Sequence, residues 1–126
     1  PQLEQAVQKL DPKTFVVSIT QGHASDLPVA AEALRRNVFP YVGVLGSVGK
    51  SIKIRRDLAT LGLDRAQISY LHCPMGLPVG RNVPEEIAVS IAAQLLAQRE
   101  QHKILPAAKT KRFAVTQNAE FPNHCE

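Results

Sequence analysis

The chain of 126 residues corresponds to one domain of typical size, and its 44% apolar and 21% charged residues are typical of a globular protein rather than a disordered one. The net charge is +4. The chain has no apolar run of 18 residues and no secretory leader pattern, so we expect a cytoplasmic protein without a membrane partner. Cys73 and Cys125 fit neither a disulfide scaffold nor the spacing of a zinc site.

The first half of the chain alternates between helical and strand patterns. Apolar residues at helical spacing predict a short helix over residues 3–10. Residues 14–20 are β-branched and almost continuously apolar, which predicts a strand buried on both faces. A loop at residues 21–26 leads to a second helix around residues 29–34, and residues 41–45 predict a second buried strand.

The second half continues this alternation. After a glycine turn at residues 46–49, a third helix begins near Lys50. Residues 68–71 predict a weaker third strand, and residues 73–80 form a loop that contains two prolines and two glycines. Pro84 then occupies the first position of a final helix, with two acidic residues in its first turn.

This order predicts an α/β fold, a Rossmann-like parallel sheet with flanking helices and right-handed crossovers. We expect one domain over residues 1–105 and a C-terminal tail over residues 106–126. Ligands of such sheets bind beyond the carboxyl ends of the strands. The segments expected at that edge are residues 20–26, 46–50 and 73–80.

The glycine turn after the second strand resembles a phosphate-binding loop but departs from it. A Walker motif needs glycine five positions before Gly49, where the chain has Val44, so nucleoside triphosphate hydrolysis is not expected. Gly46 and Gly49 still allow an anion to approach the start of the third helix, where we expect an exposed Lys50. The alternative is an ordinary turn followed by a solvated basic helix face.

Two other segments carry reactive groups. Thr20, His23 and Asp26 could position a ligand, or Asp26 could cap the second helix beside an exposed His23. Cys73 follows His72 and could be an activated thiol or a buried, inert one. Residues 35–65 hold seven basic and two acidic residues, but with 5% aromatic residues and no known module we expect no nucleic-acid partner.

Several segments, read in order, resemble one family. They are Phe15-Val16-Val17-Ser18-Ile19-Thr20, Gly22-His23 with Asp26, Tyr41-Val42-Gly43-Val44-Leu45-Gly46-Ser47 with Lys50, Cys73-Pro74-Met75-Gly76-Leu77, and Pro84-Glu85-Glu86-Ile87-Ala88-Val89-Ser90-Ile91. Over about residues 14–99 the chain resembles the C-terminal Rossmann domain of the XdhC/CoxI family, the xanthine dehydrogenase accessory proteins.

The resemblance implies a chaperone rather than a turnover enzyme. Such a protein binds the molybdenum cofactor (molybdopterin) and assists its sulfuration and insertion into xanthine dehydrogenase-type molybdoenzymes. A cysteine desulfurase and a second copy of the chain are further implied partners. The resemblance places the following residues at the cofactor: Thr20, Gly22, His23, Asp26, Gly46, Ser47, Lys50, Cys73, Pro74, Gly76 and Leu77.

The chain also departs from the family pattern. No glycine precedes Thr14, so the first glycine-rich strand–helix unit and the dinucleotide fingerprint are absent. Val48 and Gly49 stand where the family has basic residues, and Pro78 stands where it often has Asp. The chain is then either the second part of a longer protein or a variant without half of the crevice. Two alternatives stay open: an enzyme that uses NAD(P) or another nucleotide, and a non-catalytic interaction module.

Overall fold

The computed structural model describes residues 2–102, which contain five helices and three strands. In chain order these are α1 (Gln2–Gln8), β1 (Phe15–Ser18), α2 (His23–Arg36), β2 (Tyr41–Val44), α3 (Val48–Thr60), α4 (Arg65–Ser69), β3 (Leu71–His72) and α5 (Pro84–Gln101). The chain divides into two compact units, residues 1–75 and residues 76–126. The predicted tail at residues 106–126 lies outside the described residues.

The first unit contains a parallel sheet with the strand order β1-β2-β3. Val16 lies beside Val42, and Val42 lies beside Leu71. Both crossovers therefore step in the same direction across the sheet, and right-handed crossovers of this kind place their helices on one face. The predicted α/β fold with a parallel sheet and flanking helices is confirmed.

The core of this unit lies between the sheet and its crossover helices. Ala30 and Leu34 of α2 and Ile54 and Leu58 of α3 are buried in one cluster with alternate residues of the strands. The strand members of that cluster are Val16, Val42, Val44 and Leu71. Because successive side chains of a strand point to opposite faces, their neighbours along each strand point away from the crossover helices.

The strand β1 is less buried than its apolar sequence predicts. Val17 is 37% exposed and Ile19, directly after the strand, is 60% exposed. The prediction that both faces of this strand are covered was wrong, because the side chains of Val17 and Ile19 point to the face of the sheet opposite Val16, and residues 2–102 cover that face only in part.

Two boundaries also differ from the sequence prediction. The third strand is Leu71–His72 rather than residues 68–71, because Asp64 and Gln67 form a capping box that starts α4 at Arg65. Helix α2 begins at His23, so most of the predicted loop at residues 21–26 is helical. A capping box outweighs the apolar pattern of so short a segment because it satisfies two main-chain donors.

The second unit begins with a loop held against its own helix. Gln94 of α5 accepts a hydrogen bond from the Gly76 N–H and donates one to the Gly76 carbonyl. The Leu77 N–H donates to the Ser90 carbonyl. Helix α5 begins at Pro84, as the sequence predicts. Among residues 2–102, no helix is long and apolar enough to cross a membrane.

Candidate functional site

Polar side chains at the carboxyl ends of β1 and β2 meet around the carboxylate of Asp26. This residue lies in the first turn of α2 and is fully buried. Its Oδ1 accepts hydrogen bonds from Ser18 Oγ at 2.7 Å and from Thr20 Oγ1 at 2.8 Å. A buried carboxylate is tolerated only where such donors replace the lost water.

The second oxygen of Asp26 forms an ion pair with the Lys50 ammonium group. Lys50 lies in the first turn of α3, and its Nζ also donates to the Leu45 carbonyl at 2.8 Å. Its side chain is 19% exposed, so the prediction of an exposed lysine at this helix start was wrong. The reason is that the side chain folds back over Gly46, whose missing Cβ leaves room for the lysine stem. We call Ser18, Thr20, Asp26 and Lys50 the Asp26 cluster.

The Asp26 carboxyl group is held ionised by its partners. Burial alone would raise its pKa, but hydrogen bonds from Lys50, Ser18 and Thr20 and the charge of Lys50 lower that pKa below its usual value. Within the Asp26 cluster, the negative charge of Asp26 and the positive charge of Lys50 neutralise each other. The cluster links Thr20, after β1, to Leu45, after β2.

Helix α2 starts without a side-chain cap. Its N-cap residue is Gly22 rather than Asp26, so the alternative in which Asp26 caps this helix was wrong. The Gly22 N–H donates to Thr20 Oγ1 at 3.2 Å, which ties the cap residue to the Asp26 cluster. A Cβ at Gly22 would meet no other atom within 4 Å, so the space beside it is open.

His23 points toward α3 instead of the Asp26 cluster. Its Nε2 lies 2.7 Å from Asp57 Oδ2, and the side chain is 21% exposed. The alternative of an exposed and idle His23 was therefore wrong. The hydrogen bond joins the first residue of α2 to Asp57 in the last turn of α3.

The turn after β2 is capped by its own helix. Ser47 is the N-cap of α3, and its Oγ accepts from the Lys50 N–H at 3.2 Å. Gly49 lies inside the first turn, where a Cβ would approach only Ser47 Oγ, at 3.8 Å. Helices α2 and α3 each follow the carboxyl end of a parallel strand. The exposed Ser47 and Gly49 at the start of α3 therefore lie at the same end of the sheet as the start of α2.

Cys73, which precedes Pro74 at the end of the first unit, is buried. Its carbonyl accepts from Ser51 Oγ and from the Arg55 guanidinium. Burial raises the pKa of the Cys73 thiol, against smaller opposing effects of Ser51, Arg55 and Lys50. The structure therefore favours the inert alternative for this cysteine over an activated thiol.

The His72 ring stacks on Tyr41, with centroids 4.5 Å apart. Burial, helped by the charge of Arg55, lowers the pKa of His72 below its ordinary 6.5. The unfolded chain then binds a proton more readily than the folded one, so stability is lost as pH falls below about 6.5.

Replacing His72 by phenylalanine should reduce this pH dependence. In urea titrations, we expect His72→Phe to lose less stability between pH 7.5 and pH 5.5 than the wild type does. The control His102→Phe removes an exposed histidine and should keep the wild-type loss; equal losses in all three proteins would contradict the assignment.

The remaining predicted residues, Gly76 and Leu77, lie in the second unit. Gly76 has φ +101°, and a Cβ there would come within 2.5 Å of Ser90 Oγ. Glycine is therefore required at this position for close packing on α5. A ligand contact is not needed to explain it.

Sequence reasoning missed Ser18, Arg55 and Asp57. The signal for Ser18 was a serine inside an otherwise apolar strand, because a buried hydroxyl group needs a hydrogen-bond partner. Nothing in the sequence connected Asp57 with His23, 34 positions away. Within residues 2–102, no three His, Cys, Asp or Glu side chains are grouped closely enough to hold a metal ion.

Comparison with known proteins gives a family match and similar relatives. Residues 1–95 match the XdhC Rossmann domain family. The uncharacterized protein YqeB of Escherichia coli (strain K12) is 32% identical over 93 residues, which cover 72% of this chain and 17% of that protein. A crystal structure described as a xanthine dehydrogenase from Bacillus halodurans superposes with a TM-score of 0.62 at 28% identity, over 80% of this chain and 28% of that one. The chain thus spans less than a third of the length of either relative.

Proposed function

Since the chain belongs to the XdhC Rossmann domain family, we propose that it acts in the maturation of xanthine dehydrogenase-type molybdoenzymes, as an accessory protein that binds the molybdenum cofactor and assists its sulfuration and insertion. The family and the structural relative, itself described as a xanthine dehydrogenase, support the first part. The arrangement at the carboxyl ends of β1 and β2 supports the second. The molybdenum cofactor is cargo in this proposal, and the molybdoenzyme is its recipient.

The open start of α2 is the observation that carries the proposed binding site. The Ser25 N–H donates to the Gly22 carbonyl, whereas the N–H groups of His23 and Ala24, at the first two positions of the helix, have no acceptor one turn earlier and no side chain that caps them. The positive end of the helix dipole favours an anion at this point. The open space beside Gly22 admits a ligand, and the phosphate of molybdopterin is the group that this start would bind.

The Asp26 cluster has a positioning role in this proposal. Asp26 neutralises Lys50, so the ammonium is not free to bind a phosphate directly. Instead the pair fixes Thr20 and, through it, Gly22. It also holds Leu45 at the end of β2. The loops that would contact the cargo are therefore rigid before the cargo arrives, which lowers the entropic cost of binding.

The recipient and the sulfur source are also proposals. A cysteine desulfurase would supply sulfur for the cofactor, and NAD(P) or another nucleotide is the competing ligand at the same sheet edge. The buried thiol of Cys73, with its raised pKa, is poorly suited to carry sulfur itself. We therefore propose that sulfur reaches the bound cofactor without passing through this residue.

The test begins with retention of the cargo. The purified chain is incubated without oxygen with released molybdenum cofactor, with and without NAD, and the protein peak from gel filtration is assayed for molybdenum and for oxidised-pterin fluorescence. We expect pterin and molybdenum in the protein peak, unaffected by NAD. Displacement by NAD would favour the nucleotide alternative. An empty peak would contradict binding by this chain.

A charge at the start of α2 locates the site. Ala24 is exposed at the second position of α2, and aspartate there suits a helix start but repels an anion. We expect Ala24→Asp to bind the cofactor about tenfold more weakly with an unchanged melting temperature. The matched control, Ala66→Asp, places the same charge at the second position of α4, where Ala66 is also exposed. Equal weakening in both variants, or in neither, would remove the start of α2 from the site.

A further inference from the structure

His23 lies at the proposed binding site and carries a side chain that the proposed function does not use. It is the first residue of α2, and its main-chain N–H is one of the two that the helix start leaves without an acceptor. Its ring is 21% exposed and reaches α3, where Nε2 lies 2.7 Å from Asp57 Oδ2. One residue therefore connects the proposed anion site with a carboxylate on a second helix.

Asp57 fixes which nitrogen of the His23 ring carries a hydrogen. A carboxylate only accepts hydrogen bonds, so Nε2 carries the hydrogen that is donated to Asp57. In the neutral ring Nδ1 then has a lone pair, and in the charged ring it has an N–H. Nδ1 is buried and has no hydrogen-bond partner among residues 2–102. A second proton on the ring would therefore create a buried donor without an acceptor, which costs free energy.

Within residues 2–102, Asp57 is the charged group that contacts the His23 ring. Asp26 lies one turn further along α2, but its carboxylate is neutralised by Lys50 of α3. The loop at residues 19–22 carries no charged side chain. The other basic residues of α3 are exposed or donate to main-chain carbonyls: Lys53, Arg56 and Arg55. The charge of the ring is therefore set mainly by Asp57 and by the positive end of the α2 dipole.

We propose that His23 takes up a proton when a dianion binds at the start of α2, so that binding of the phosphate-bearing cargo strengthens as pH falls. This inference rests on the proposed function, because it concerns the same site. Before binding, Asp57 favours the charged ring, whereas the helix dipole and the unpartnered Nδ1 oppose it. A bound dianion offsets the dipole and adds a second negative charge. An anion held by the His23 N–H lies within about 9 Å of the ring of the same residue, close enough to couple the two events by about tenfold.

The test measures sulfate binding to the full chain at pH 6 and pH 8 by NMR titration at constant ionic strength. Sulfate stays a dianion at both pH values, so a pH dependence of its affinity comes from the protein. We expect sulfate to bind about tenfold more tightly at pH 6 than at pH 8. Equal affinity at both pH values would overturn this inference and leave the anion site in place. No sulfate binding, or binding that Ala24→Asp does not weaken, would remove the site itself and this inference with it.

Variants and a direct signal locate the proton. His23→Gln keeps an N–H group within reach of Asp57 but cannot gain a charge, so its sulfate affinity should change less than about twofold between the two pH values. His102→Phe removes an exposed histidine and should keep the tenfold change. In nitrogen-15 NMR spectra of the wild-type histidine rings at pH 7, sulfate should move the His23 Nδ1 signal toward that of a charged ring and leave His102 unchanged. An unmoved His23 signal, or wild-type pH dependence in His23→Gln, would overturn the inference.

Discussion

Replacing Asp26 by alanine should destabilise the chain by about 3 kcal/mol, because it leaves the Lys50 ammonium and two hydroxyl groups without their shared acceptor. The fully buried carboxylate cannot be replaced by water unless the loops move apart. Urea unfolding followed by circular dichroism measures the loss. Asp11→Ala is the matched control, since it removes an exposed carboxylate that accepts a hydrogen bond from the Lys13 N–H, and it should cost less than about 0.5 kcal/mol.

The same variant should change the acid sensitivity of the chain. The pKa of Asp26 is lowered in the folded state, so its contribution to stability is present above the ordinary carboxyl pKa of 3.8 and is lost as pH falls through the lowered value. Asp26→Ala should therefore show a smaller loss of stability below about pH 4 than the wild type does. Equal stability of Asp26→Ala and the wild type at pH 7 would show that the cluster does not hold the loops together.

The sequence placed most of the candidate site on the correct edge of the sheet but assigned the wrong exposure to its lysine. Topology alone put Thr20, Asp26 and Lys50 beyond the strand ends, and the structure brings these three together. Periodicity could not show that Lys50 folds back over Gly46, because that depends on a contact between two loops. It also could not direct His23 toward Asp57, a pairing fixed by how α2 packs on α3.

The fold was predictable where one local signal dominated. Pro84 followed by two acidic residues marks a helix start whatever the tertiary context, and α5 begins there. The exposure of Val17 and Ile19 was not predictable, because the same apolar run is found in strands with one covered face and in strands with two.

Gly43 is required for packing in the core, although the segment around it resembles a ligand-binding motif. It lies next to the segment that imitates a phosphate-binding loop, yet it is the buried third residue of β2. The Tyr41 ring lies across it, and a Cβ at Gly43 would come within 2.5 Å of Tyr41 Cε1. Tyr41 is itself 1% exposed and stacks on His72, so its ring has little freedom to withdraw.

We therefore expect Gly43→Ala to destabilise the chain by about 2 kcal/mol, the usual cost of adding a methyl group to a filled core. Gly49→Ala is the matched control in the same glycine-rich segment. Its Cβ meets only Ser47 Oγ at 3.8 Å, and alanine favours the helix, so this variant should gain about 0.5 kcal/mol. Thermal and urea unfolding measure both changes. The two changes in stability should have opposite signs, because Gly43 is covered by the Tyr41 ring whereas Gly49 is exposed in the first turn of α3. An unchanged stability of Gly43→Ala would mean that the Tyr41 ring can move and that its stack with His72 is loose.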